Sequence, residues 1–298
     1  MRFSTITAAI AAVAVTVTAA PLYMGLDMAS TPTPSTASID ILNFALTLEH
    51  LEAAFYNYGY DKFDDKAFTD AGFDPRVRDR IGHIMEHEND HVTTLSSVIT
   101  SLGGNPVPAC TYNFPVEIVP EFLAIAQALE TTGVSAYTGA IDGLDGDLLT
   151  AAGTIATVEG RHSYFLNVIL GQSGFPYAFD TPLSPRQIIT IATSFIQECP
   201  FDLGLTPYTH LTATLPAEGS TKVTTSFQGQ ENYAIENTWC QFLYGNHLVI
   251  SPGAECTLPP GAIGYVYVFV TSSKNPVNMP NSDILAGPAL LFNGSHNH

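Results

Sequence analysis

The sequence predicts an α+β, multidomain chain. A four-helix bundle plus a fifth helix is expected over residues 38–199, followed by a small all-β sandwich or barrel over 200–298. Three observations carry this expectation. Apolar residues recur at helical spacing through the first two thirds of the chain. Proline and glycine turns then divide the remainder into short alternating runs. Hydrophobic residues make up 46% of the 298 positions and charged residues 13%, which excludes a disordered or coiled-coil chain.

Residues 1–20, MRFSTITAAIAAVAVTVTAA, hold one Arg, an apolar run and small residues ahead of Pro21. That is the pattern of a secretory signal peptide, with cleavage near Ala19 or Ala20. Residues 21–37 are rich in Pro, Thr and Ser and read as a flexible lead-in. No later stretch approaches the roughly 18 apolar residues of a membrane span, and the polar tail does not suit a lipid-anchor signal. A secreted or extracellular protein is expected. Lys and Arg number 10 against 28 Asp and Glu, a formal net charge of −18. Such a field repels phosphate, so neither nucleic acid nor an anionic membrane is an expected partner.

The first helix is predicted from Ser38 to about Tyr58, where Ile41, Leu42, Ala45, Leu46, Ala53 and Phe55 fall on neighbouring turns. An acidic and aromatic connection follows over 59–74. Asp74-Pro75 then marks a helix start, with Asp capping free amides and Pro fitting the first turn. This second helix is predicted to run to Leu102 and stop at Gly103-Gly104. The third spans about Pro120 to Ile141 and the fourth about Asp147 to Leu170, ending at Gly171. The short joint between these two makes them antiparallel neighbours, whereas the link over 103–119 is long enough to cross the bundle. Ser184-Pro185 starts a fifth helix predicted to end by Pro200. Beyond it, runs such as His210–Leu215, Lys222–Phe227 and Tyr265–Val270 alternate as strands do.

The four cysteines, Cys110, Cys199, Cys240 and Cys256, form no C-x-x-C pair, which argues against zinc or thioredoxin-like chemistry. An even count in an oxidising compartment points to two disulfides. Cys110–Cys199 and Cys240–Cys256 are the favoured pairs, because each would fall within one region. Asn293-Gly294-Ser295 is the single glycosylation sequon, with Asn293 the acceptor.

The chemistry concentrates in the helices. The second carries Glu88-Asn-Asp-His91 and the fourth Glu159-Gly-Arg-His162. An i,i+3 pair lies on one helix face, so the carboxylate and imidazole can hold one ion together. Random placement of the Glu and His residues would give only about 0.4 such matches, and two occur. The other two helices match each other as well. Glu49 is followed seven residues later by Tyr56, and Glu130 by Tyr137, so each pair shares a face. The order reads as a duplicated helical hairpin. Four carboxylates and two histidines are what a dinuclear site needs, and two divalent ions balance four carboxylate charges. Mixed carboxylate and imidazole ligation fits two iron or manganese ions. Three points stay open at this stage. Glu52, one turn from Glu49, is a possible ligand or an outer acceptor, although the Tyr spacing favours Glu49. His87, in the stripe His83, His87, His91, either binds a further metal or sits outside the ligand shell. Tyr56 and Tyr137 either bond the ligand carboxylates or fill core. Gly133, Gly139, Gly153 and Gly160 are unfavourable inside helices and serve either close packing or room at the site.

The phrases LTLEHLEAAFY, MEHENDHV, ALETTGVSAY and VEGRHSYF resemble the ferritin-like di-metal carboxylate superfamily of ferritin, bacterioferritin and rubrerythrin. Within it they are most similar to secreted fungal ferritin-like proteins of stress response, desiccation or late sexual development. The resemblance covers about 38–198 and implies a ferritin-like four-helix bundle. It also implies that Glu88 and Glu159 bridge two metals, with His91, His162, Glu49 and Glu130 as terminal ligands. A ferritin-type cage is not expected, because about 95 extra residues after the bundle would obstruct a closed shell. Two functions are compatible with these residues. One is a metal-binding stress or development protein whose β-domain engages a cell-wall polymer or a protein partner. The other is a di-iron or di-manganese oxidoreductase, acting as a ferroxidase, a peroxide scavenger or an oxidase of an organic substrate.

Overall fold

A computed structural model describes residues 36–144, 146–216, 220–279 and 283–294. The expected signal peptide and nearly all of the lead-in lie outside the described residues.

The first helix, α1 (Thr36–Lys62), runs about a turn beyond the predicted end, and a short helix, α2 (Asp65–Asp70), occupies the connection behind it. Asp64 caps α2 by accepting from the Ala67 amide at 2.8 Å. Asp74 accepts from the Arg76 amide at 2.9 Å, at the start of α3 (Arg76–Ser101). This satisfies one of the free amides at that end. Gly103, at φ +80°, terminates α3 in a backbone region that only glycine adopts readily. The chain then crosses the bundle, forming the short strand β1 (Thr111–Tyr112) on the way to α4 (Val119–Ala140) and α5 (Gly146–Ile169). The helices pair as α1 with α3 and α4 with α5.

The fifth helix, α6 (Pro185–Ala192), is shorter than predicted. A Ser184/Gln187 capping box starts it, but after Ala192 the chain turns and continues as β2 (Ile196–Glu198), antiparallel to β1. The Cys110–Cys199 disulfide closes the same corner. Extended pairing beside that bridge wins over continued helix, a contact between residues 89 apart that no local periodicity can signal.

The C-terminal region is antiparallel β. A ribbon of β3 (Leu211–Thr214) and β4 (Thr224–Phe227) lies beside a four-stranded sheet of β5 (Trp239–Tyr244), β6 (His247–Pro252), β7 (Gly264–Thr271) and β8 (Ile284–Asn293), in the order β6-β5-β7-β8. Strand alternation sends its side chains to two different cores. Leu243, Tyr267 and Phe269 join the cluster of Phe55, Phe122 and Leu166 from the helices. Phe242, Val266, Val268 and Val270 pack instead with Leu211, Val223 and Leu258, beside the Cys240–Cys256 bridge. Each fully buried side chain of this size contributes roughly 1.5–3 kcal/mol. One face of the sheet thus shares an apolar cluster with the helices. The Tyr267 hydroxyl also bonds Ser135 of α4 at 2.7 Å, and that of Tyr265 donates to Gln127 at 3.0 Å. Asn293 ends β8 with its side-chain amide donating to the Ala262 carbonyl. No helix among the described residues is long and apolar enough to cross a membrane.

Candidate metal centre

Four helices each bring a carboxylate to one point inside the bundle. Glu49 from α1, Glu88 from α3, Glu130 from α4 and Glu159 from α5 are all 0% exposed. His91 and His162 stand one turn after Glu88 and Glu159, and both turn Nδ1 inward. His91 Nδ1 lies 3.1 Å from Glu49 Oε2, 3.1 Å from Glu88 Oε2 and 3.5 Å from Glu159 Oε1. His162 Nδ1 lies 3.1 Å from Glu88 Oε1 and 3.2 Å from Glu130 Oε2. Two overlapping donor sets result: Glu49, Glu88, His91 and Glu159, and Glu88, Glu130, Glu159 and His162, each with its ligand atoms within 4.8 Å of one another. Glu88 and Glu159 belong to both sets, which is the placement of bridging carboxylates.

The outer carboxylates are held by tyrosines from the opposite hairpin. Tyr56 of α1 donates to Glu130 Oε1 at 2.5 Å, and Tyr137 of α4 donates to Glu49 Oε1. The two tyrosines bond the carboxylates while also filling core. His87 is the exposed partner of a buried ring. Its Nδ1 sits 3.0 Å from His162 Nε2, and the rings stack at 5.2 Å and 14°. Burial and the neighbouring His162 lower the affinity of His87 for a proton, so it can accept from His162 Nε2–H. That bond would leave the His162 Nδ1 lone pair facing the carboxylates, the tautomer a metal ligand requires. His83, by contrast, faces Asp79 and Glu86 at the surface. Glu52 is buried against the cluster but lies outside both donor sets.

Gly133 gives the carboxylates their room. A Cβ there would lie 2.7 Å from Glu159 Oε2 and 3.0 Å from Glu52 Oε1. Gly139 serves close packing, because a Cβ would meet the Leu183 carbonyl at 1.9 Å, whereas Gly153 and Gly160 meet nothing within 4 Å. The i,i+3 spacing of Glu130 and Gly133 was the available sequence signal for the first of these roles. Spacing alone could not separate it from the other three.

The electrostatics are those of charge crowded into an apolar interior. Burial, reinforced by neighbouring carboxylates, raises Glu52 and Glu159 well above the usual range. It raises Glu49 to about 7 against the opposing bond to His91. Burial pushes Glu88 the same way, but the facing His162 and His91 rings outweigh it and hold that carboxyl at about 2. Burial would lower both inward histidines. The bonds and charges of Glu49 and Glu88 instead lift His91 to about 10, and those of Glu130 and Glu88 lift His162 to about 9. Even so, both oxygens of Glu159 accept no hydrogen bond, and Glu88 Oε1 has the His162 ring 3.1 Å away without a well-aligned one. An unsatisfied buried polar atom costs about 1–3 kcal/mol, and more when charged. The bare oxygens sit on the two carboxylates shared by both donor sets, where a cation would satisfy them. The residues therefore fit a metal site of hard to borderline character.

Residues 37–172 match the family model of the ferritin-like domain. Protein rds1 of Schizosaccharomyces pombe (strain 972 / ATCC 24843) is 29% identical over 160 residues, 53% of this chain and 39% of that protein. The chain thus spans well under half the length of this curated relative. Among solved structures, ferritin-like, diiron-carboxylate proteins from Bacillus anthracis str. Ames align with a TM-score of 0.40 and 21% identity, over 46% of this chain and 99% of theirs. A conserved hypothetical protein from Mycobacterium tuberculosis aligns with a TM-score of 0.39 and 19% identity, over 48% of this chain and 96% of its own.

Proposed function

We propose that the chain, whose residues 37–172 are a ferritin-like domain, is a secreted metal-binding protein that holds two iron or manganese ions. The observation that carries this reading is the pair of donor sets sharing Glu88 and Glu159, in which both oxygens of Glu159 and Oε1 of Glu88 have no well-aligned hydrogen bond. Glu88 and Glu159 would bridge, and Glu49 with His91 and Glu130 with His162 would complete the two ends. Tyr56, Tyr137 and His87 orient those end ligands, as outer partners commonly do. Carboxylate and imidazole donors without thiolate favour iron or manganese over softer ions.

Two bound ions of this kind would supply redox capacity, which is the basis of the oxidoreductase reading. The chain's own groups bind and orient the ions and limit access of water: five of the six ligands are buried and His91 is partly so, and Leu51, Ile84 and Leu166 of the same helices are buried as well. Two disulfides support an oxidising, extracellular location. A role in stress or development, and a wall-polymer or protein partner engaged through the β-rich region, complete the proposal. The β-rich region covers one side of the bundle, which argues against packing into a ferritin-type cage.

Electron paramagnetic resonance on Mn(II)-loaded protein tests the bridged arrangement. A spin-coupled pair that becomes uncoupled in Glu88→Ala is expected. Only isolated Mn(II) in the unmodified protein would contradict two ions sharing a bridge.

A further inference from the structure

A concavity of about 380 Å³ lies where α4, α5, the segment 172–181 and the sheet meet, within the range of small-molecule sites (about 300–1,000 Å³). Three of its aromatic rings are turned outward. Phe175 is 76% exposed, Phe179 61% and Tyr164 46%, and all three line the concavity. Val168, one turn after Tyr164, adds a further exposed apolar side chain. Tyr164 and Phe175 lie parallel, their rings 6.1 Å apart at 7°.

The segment is held in place. A Cβ on Gly174 would fall 2.2 Å from the Tyr164 ring, so glycine lets the chain lie flat on it. Tyr177 accepts from the Ile263 amide at 2.6 Å and packs against Tyr244. Leu183 then donates to the Ser135 carbonyl at 3.1 Å. Rings this exposed on a segment this firmly fixed form a preorganised apolar surface, which lowers the ordering cost of binding.

The rest of the lining is mixed. Hydroxyls and amides such as Ser163, Asn167 and Gln172 stand among apolar groups, and the charged residues are a single Arg161 and a single Asp180. A phosphate or other anion would find one cation there against the chain's formal −18. An aliphatic ligand would cover these hydroxyl and amide groups without adding a bond to those they make within the protein. A neutral, polyhydroxylated ligand satisfies both parts, with its C–H faces on the rings and its hydroxyls on the polar wall. We propose that this concavity binds a neutral saccharide of a polysaccharide chain, with Tyr164, Phe175 and Phe179 as stacking faces. The inference rests on the wall-polymer reading given above, to which it adds a place and a ligand chemistry, and it is independent of the metal centre.

Isothermal titration with laminarihexaose, chitohexaose and cellohexaose tests it on the full-length protein. Saturable binding of at least one is expected, weakened at least about tenfold (about 1.4 kcal/mol) in Phe175→Ala/Phe179→Ala with its melting temperature retained. Should the double variant fold poorly, Phe175→Ala alone, at the more exposed ring, is expected to show the same direction. His91→Ala/His162→Ala is expected to bind sugar as the unmodified protein does, so loss of either property leaves the other reading standing. No binding of any of the three sugars, or binding unchanged by loss of the rings, would overturn the proposal. So would a dimer in sedimentation that the double variant converts to monomer, because the rings would then serve a second copy of the chain.

Discussion

The hydroxyl of Tyr56 on α1 donates to Glu130 on α4 at 2.5 Å, joining residues from the two separate helical hairpins. Tyr137 returns the equivalent bond to Glu49, so each hairpin carries the orienting group for the other's terminal carboxylate. Tyr56→Phe keeps the ring and removes this bond. It is expected to leave Glu130 Oε1 without its donor at a cost of about 1–3 kcal/mol and to weaken metal binding about 10–100-fold. Metal titration and urea unfolding of the variant check both.

Gly133 and Gly160 are expected to answer differently to alanine. At Gly133 the added methyl would press on Glu159 Oε2 and displace a carboxylate of the proposed metal centre, so metal content is expected to fall although the helix forms. At Gly160 nothing lies within 4 Å. That variant should keep its metal and gain up to about 1 kcal/mol in helix stability. Equal behaviour of the two would contradict the placement of Gly133.

The metal-free protein is expected to be most stable in mildly acidic solution. His91 and His162, raised to about 10 and about 9 in the folded state, contribute stability that is complete below their ordinary range and lost as pH rises through those values. Glu49, raised to about 7, adds a loss as pH climbs from about 4.5 to 7. Glu88, held at about 2, acts oppositely, and its contribution disappears as pH falls from about 4.5 toward 2. Metal requires deprotonated ligands, so binding should release protons and tighten with rising pH. Melting temperatures across pH 3–9, with and without Mn(II), should therefore diverge as pH rises.

The two disulfides should differ in weight. Cys110–Cys199 closes a loop of 89 residues and Cys240–Cys256 one of 16. Chain-entropy reasoning gives about 4–5 kcal/mol for the first and about 3 kcal/mol for the second. Paired Cys→Ser variants compared by denaturant unfolding measure this difference. Metal content should persist in the Cys240/Cys256 pair variant, because that bridge lies outside the bundle.

The six converging side chains could be placed on their helix faces from the sequence because helix periodicity is local. Glu88 with His91, and Glu159 with His162, fall on one face whatever surrounds them. The same holds for the limits set by Asp74 and Gly103, where the signal lies in one or two residues. The features that were not legible depend on contacts between distant segments. Spacing placed Tyr56 on the face of Glu49 but gave no sign that it bonds Glu130 across the bundle. The early end of α6 at Ala192 follows from pairing with β1, far upstream. Nothing in the local pattern marks Phe175 and Phe179, which only the fold sets around a concavity.

The most direct test is the metal content of protein secreted by a eukaryotic host, measured by elemental analysis beside His91→Ala/His162→Ala. About two iron or manganese ions per chain, lost in the double variant, is the result this account predicts. An unmodified protein that carries no metal, takes up none from solution and melts as the double variant does would contradict it.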